Sequence, residues 1–199
     1  MLSISTNKQL IKEALFLSVL TTLCFLLIAG RIHLSDSKMF LFLVWNLFLA
    51  GIPWVITSFI MLNEKLQKNK LALTFMLTTW VLFFPNAPYI LTDLFHLKTA
   101  SSMPIWFDLI LILSFAWTGL IFGFLSLRDI EFILKKDVSK AWGNLIITSL
   151  LFLSAFGIYL GRYLRWNSWD ILDHPLGIIT DIGQRFINPF EHPRTWGMT

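Results

Sequence analysis

Asp93 and His96 stand three residues apart in the run Phe83-Phe84-Pro85-Asn86-Ala87-Pro88-Tyr89-Ile90-Leu91-Thr92-Asp93-Leu94-Phe95-His96-Leu97. On one helix face, a carboxylate and an imidazole at that spacing can work as an acid–base pair in which the carboxylate orients the ring. They can equally supply two ligands to a divalent metal. Asn86 and Tyr89 continue the same face, because spacings of three, four and three keep the side chains on one stripe. Both are expected to contact substrate. Their plainer roles are an N-cap for Asn86, with Pro88 in the first turn that follows, and an interfacial anchor for Tyr89. Asp93 and His96 would then be simply solvated.

A second polar run follows Gly161: Arg162-Tyr163-Leu164-Arg165-Trp166-Asn167-Ser168-Trp169-Asp170-Ile171-Leu172-Asp173-His174-Pro175. Arg162 and Arg165 either snorkel to headgroups or form a clamp that holds phosphate or carboxylate by paired hydrogen bonds. Asn167 and Asp170 match a capping box, and Asn167 is also a candidate substrate contact. Asp170, Asp173 and His174 form an i, i+3, i+4 set. A two-histidine, carboxylate metal site can therefore be drawn from Asp93, His96, His174 and either Asp170 or Asp173. Asp108 and Asn46 belong to the same level of the chain, and Asp108 joins the expected substrate contacts. His-Glu-x-x-His, Gly-x-Ser-x-Gly, phosphate-loop and Cys-x-x-Cys patterns are absent.

The elements that must position these groups are membrane spans. Apolar residues make up 56% of the chain and charged residues 14%, with nineteen Phe and nine Trp. With a mean hydropathy of +0.69, that composition is far from a soluble domain and fixes an integral membrane protein. The net charge of +4 sits between apolar stretches, so lipid headgroups and topology explain it, and nucleic acid is excluded as a partner. Cys24 lies alone in an apolar run, as a small buried hydrophobe.

Five spans are predicted, at 10–29, 39–62, 71–84, 104–127 and 141–160. The first is an uncleaved anchor, and Pro53 beside Gly51 should kink the second. The third has 14 apolar residues, roughly 21 Å against the roughly 30 Å hydrocarbon layer. The Pro85–Pro88 break must then lie in or at the edge of the membrane, continued by 87–97. Carboxylate and imidazole groups at that depth point to a functional site.

Lys and Arg in the loops and N-terminus number nine on the N-terminal side against three opposite, which places the N-terminus in the cytoplasm. The tail brings the opposite count to seven. Both polar runs then face the non-cytoplasmic side. Beyond Pro175, Ile179, Ile182, Phe186 and Phe190 recur at three and four, with Asp181, Gln184, Arg185 and Asn188 elsewhere on the wheel. An amphipathic helix at 176–187, lying at the membrane interface, is expected. The last residues, Arg194 to Thr199, look like the start of a further span in a longer form. Gly119-x-x-x-Gly123 and Gly157-x-x-x-Gly161 should let helices approach closely. Trp106, Trp166 and Trp169 read as an outer aromatic belt, and Trp142 as an inner one.

The run from Phe84 to Leu97 resembles the hallmark of the bacterial membrane-protein family catalogued as domain of unknown function 1361. The likeness extends to Trp45-Asn46-Leu47, Trp106-Phe107-Asp108, Gly157-Ile158-Tyr159-Leu160-Gly161-Arg162 and Arg165-Trp166-Asn167-Ser168-Trp169-Asp170, so it covers roughly 45–170. It implies a multi-pass protein of the bacterial plasma membrane and supplies no activity.

The expected architecture is an all-α transmembrane bundle forming one membrane domain over 1–199. Three function classes fit it: an enzyme on a lipid or lipid-linked anionic substrate, a small transporter or channel, and a non-catalytic membrane partner protein. The polar groups gathered at one face favour the enzyme, with Asp93 and His96 catalytic and a divalent metal as its optional cofactor. The cytoplasmic halves of the spans show little polarity in the sequence, which counts against transport.

Overall fold

The computed structural model describes residues 2–97, 103–135, 138–166 and 170–199, with the side chains of 2–6, Ile171 and Met198 excepted. Their regular elements are all helical, in the order α1 Leu2–Ser35, α2 Phe42–Leu62, α3 Glu64–Lys68, α4 Lys70–Phe83, α5 Asn86–Tyr89, a 3-10 segment Ile90–His96, α6 Ile105–Leu134, α7 Lys140–Tyr163, α8 Asp170–Asp173, α9 Pro175–Ile187, a 3-10 turn Pro189–Glu191 and α10 Pro193–Met198. Five helical stretches are long and apolar enough to cross a membrane: Asn7–Ser35, Phe42–Leu62, Lys70–His96, Ile105–Leu134 and Lys140–Tyr163. The chain is therefore a multi-pass all-α membrane protein. It divides into two compact units, Met1–Ser139 and Lys140–Thr199, and each is described by itself.

In the first unit α6 is the central helix, packed on α1, α2, α5 and the 3-10 segment, with α4 against α2. Its core joins Cys24 and Ile28 of α1, Phe40, Leu43, Leu47 and Ala50, Ala87 and Ile90, and Leu111, Ile112, Phe115 and Ala116 of α6. Cys24 is fully buried, as its apolar setting implied. α2 runs through Pro53 as one continuous helix.

The interruption of the third span is a change of pitch. Phe84, Pro85, Tyr89 and Ile90 all keep right-handed helical dihedrals. Pro85 and Pro88 have no N–H to donate, so the i→i−4 ladder fails at that point. The Ala87 N–H turns to the Phe84 carbonyl at 3.1 Å, three residues back. From Ile90 the chain winds as 3-10, with a rise of about 2.0 Å per residue instead of about 1.5 Å. The 27-residue stretch Lys70–His96 is consequently about 44 Å long. That exceeds the roughly 30 Å hydrocarbon layer.

Gly119 and Gly123 explain how α5 fits. A Cβ on Gly119 would stand 2.9 Å from Ile90 Cδ1 and 3.0 Å from the Ala87 carbonyl oxygen, and one on Gly123 would stand 2.9 Å from Ala87 Cβ. The small-residue motif seats the broken segment directly against the α6 backbone.

Ion pairs pin the helices at both ends. Arg31 of α1 binds Asp108 of α6 at one end, Nε to Oδ1 at 2.7 Å and Nη2 to Oδ2 at 3.3 Å, with both side chains buried. At the other end Arg128 donates to both carboxylate oxygens of Glu13, at 2.7 and 3.0 Å, and to Asp129 at 2.6 Å. Thr57 of α2 donates to the second Asp129 oxygen at 3.1 Å. Thr57, Ser126 and Asp129 are buried at this end of the unit.

In the second unit α7 carries α10, and α8 adjoins α9. The α9 helix begins one residue earlier than the spacing predicted. Arg185, placed on its polar side by sequence, is buried, and its guanidinium lies over the Tyr159 ring at 5.8 Å. Trp166 Nε1 donates to Asp181 at 2.7 Å. The Asp181–Arg185 face thus turns inward, while Leu176, Ile179 and Ile187 stay exposed.

Candidate functional site

Asp93 is buried although it carries a carboxyl group, and its setting accounts for this. The 3-10 segment makes three residues per turn, so Ile90, Asp93 and His96 lie in register one above another. That pitch also rotates Tyr89 about 120° away from Asp93, whereas an α-helix would have kept the two side chains on one stripe. Ile90 enters the core and draws Asp93 inward with it. The Asn46 side-chain amide of α2 then donates to Asp93 Oδ2 at 2.8 Å. A charge-assisted hydrogen bond of this kind is what makes a desolvated carboxylate tolerable.

His96 stands one turn further on. Its Nδ1 is 3.8 Å from Asp93 Oδ1, an ion-pair separation beyond direct hydrogen-bond length. Its ring packs on Phe42, with centroids 5.1 Å apart. The decisive asymmetry is in exposure: the His96 side chain is 43% exposed and that of Asp93 2%. A screened carboxylate behind a half-open imidazole can hold the ring and offset an imidazolium charge while the outer nitrogen meets a reactant. Phe95, Leu91 and Trp45 are exposed apolar residues on the same elements.

Other expected residues are placed as follows. Asn86 is not an N-cap: Pro85 holds that position, and Asn86 Nδ2 donates back to the Phe83 carbonyl at 2.9 Å, closing the end of α4. Tyr89 is half-buried, and its carbonyl accepts from Thr92 Oγ1 at 2.7 Å. Asp108 is engaged by Arg31, which also donates to the Ser37 carbonyl at 3.3 Å and lies over the Phe40 ring at 4.6 Å. Arg31, one of the three Lys and Arg counted in loops on the side opposite the N-terminus, is thus a buried partner of α6 and not a loop charge. The available signal was an opposite charge, Asp108, at the same level of another span.

The remaining candidates lie in the second unit. α7 ends at Tyr163, so Arg162 is its penultimate residue while Arg165 has left the helix. Arg165 takes a left-handed φ of 61° and is exposed, which removes the shared helical face expected of the pair. Asp170 and Asp173 bound the short α8, and the His174 N–H donates to the Asp170 carbonyl at 2.7 Å. Asn167 and Trp169 fall outside the described residues, and with them the capping box. The first unit thus brings Asn46, Asp93 and His96 together. Among the described residues, no three His, Cys, Asp or Glu side chains gather to hold a metal ion.

The family described as protein of unknown function DUF1361 matches residues 45–199. The chain belongs to the DUF1361 family. The match begins one residue before Asn46 and takes in both polar runs, extending past the 45–170 likeness visible in the sequence. Arg31 and Glu13 precede the matched DUF1361 region. No curated protein and no solved structure matches the chain.

Proposed function

We propose that this DUF1361 protein is a bacterial plasma-membrane enzyme acting on a lipid or lipid-linked substrate at the non-cytoplasmic face. The observation that carries this reading is the buried Asp93 behind the half-exposed His96, with Asn46 fixing the carboxylate. His96 would take a proton from a water or substrate hydroxyl as that oxygen attacks an ester or phosphoester centre of the substrate, and would return it to the leaving oxygen as the old ester bond breaks, with Asp93 balancing the imidazolium in between. The exposed apolar residues beside the pair suit a substrate arriving from the bilayer. The excess of loop Lys and Arg on the N-terminal side supports a cytoplasmic N-terminus, with Asp93 and His96 at the opposite face.

The Thr57–Asp129–Arg128–Glu13 network, buried at Thr57 and Asp129, favours a second reading, transport between two polar ends. Against it, Leu47 and Ala50 of α2 and Leu111, Ile112, Phe115 and Ala116 of α6 form an apolar layer between those ends.

The test is turnover in nanodiscs made with total bacterial lipid extract, followed by lipid mass spectrometry. A species that accumulates with the wild type and is lost in His96→Gln and Asp93→Asn is expected. Identical lipid profiles in all three would remove the enzyme reading.

A further inference from the structure

We infer that the second unit holds a phosphate-binding site, built by Arg185, Tyr159 and Thr195, which takes the headgroup of an anionic lipid. The inference is independent of the Asp93–His96 pair. Arg185 of α9 is 6% exposed and Thr195 of α10 is fully buried. Both face Tyr159 of α7, with Arg194 contributing a second positive charge to the same surroundings. Burying a guanidinium is costly unless its donors are satisfied.

Here they are satisfied on one side only. Nη1 donates to the Asp181 carbonyl and stands 3.5 Å from Asp181 Oδ1. Buried Arg185 Nε, Thr195 Oγ1 and Trp196 Nε1 make no hydrogen bond of full geometry, although the Tyr159 hydroxyl lies close to both Arg185 and Thr195. Asp181 cannot serve them all, because its Oδ2 already accepts from Trp166. A buried, unpaired guanidinium Nε–H beside a hydroxyl and an indole N–H is a donor set, and it calls for an acceptor with several oxygens and negative charge. Phosphate meets that description.

Depth and surroundings identify the source. Tyr159 lies one turn before the end of α7 at Tyr163, about 6 Å along the axis, the level at which a span meets headgroups. Phe186, Ile187 and Phe190 are exposed next to Arg185, giving acyl chains an apolar surface. Phe186 also touches Phe156 and Trp196, with centroids 5.8 and 5.2 Å away, so the apolar surface adjoins the donors.

The experiment is native mass spectrometry of the full chain in detergent, titrated with dioleoylphosphatidylglycerol or with inorganic phosphate. Wild type is expected to bind one phosphatidylglycerol that Arg185→Gln weakens by about tenfold, the loss of one charge-assisted contact. Thr195→Val, which keeps the shape, should weaken it by a smaller factor. Should Arg185→Gln fail to fold, Thr195→Val decides alone. Binding of inorganic phosphate that is sensitive to these variants, without lipid binding, would support the anion site and assign it a free phosphate. Equal binding of both probes by wild type and variants overturns the proposal.

Discussion

Arg31 and Asp108 form a two-point ion pair, Nε to Oδ1 at 2.7 Å and Nη2 to Oδ2 at 3.3 Å, wholly buried between α1 and α6. Removing one partner leaves the other charged and desolvated, at about 3–5 kcal/mol, while replacing both with apolar groups can be nearly neutral. Asp108→Leu alone should therefore lower the unfolding midpoint strongly, and Arg31→Met with Asp108→Leu should recover most of it. Unfolding in mixed micelles, followed by Trp fluorescence, reads this out. Additive losses in the double variant would show that the pair does not act as a unit.

Gly119 is expected to tolerate no side chain. Its Cβ would meet the Ala87 carbonyl at 3.0 Å and Ile90 at 2.9 Å, so α5 would have to move away from α6. Gly119→Ala should cost about 1–3 kcal/mol, as overpacking does. Gly51 is the control, since its nearest atoms, on Phe122, are 3.8 Å away. Thermal midpoints of Gly119→Ala and Gly51→Ala should differ clearly; equal midpoints would contradict this packing.

Asn46→Ala withdraws a donor from the buried Asp93 carboxylate. The loss should be about 1–3 kcal/mol, the usual effect of stripping a hydrogen bond from a buried charged group. If His96 and Asp93 act as proposed, turnover in nanodiscs should fall with it. Unchanged stability and turnover in Asn46→Ala would mean that the amide does not hold Asp93.

Arg128 bridges Glu13 and Asp129 with three short hydrogen bonds, two of them to the Glu13 carboxylate. Lysine keeps the charge and loses the planar fork, so Arg128→Lys should be measurably less stable than wild type. Because the Arg128 side chain is 40% exposed, solvent screening limits the loss to about 1 kcal/mol. A lysine variant melting with the wild type would assign the contact to charge alone.

Composition and hydrophobic patterning determined that this is a multi-pass, all-helical membrane protein, because no other backbone satisfies its own polar groups in lipid over such apolar stretches. The family was legible too, in the Asn86-to-His96 run and its companions, and so was the closeness of Asp93 to His96. Side-chain partners were not. Whether Arg31 is a loop charge or a buried one depends on how far α1 continues and on what α6 presents opposite it, and neither is encoded near Arg31. The stripe from Asn86 to His96 presumed an α-helical pitch; two missing proline N–H groups and the close seat on Gly119 and Gly123 go with a tighter winding, which aligns Asp93 with His96 and sets Tyr89 aside. Arg185 reads as polar surface on a helical wheel, yet it turns inward because Tyr159 of another helix offers its ring. Local chemistry and periodicity are written in neighbouring residues, whereas burial and pairing arise from contacts between spans far apart in the chain, which only the tertiary structure decides.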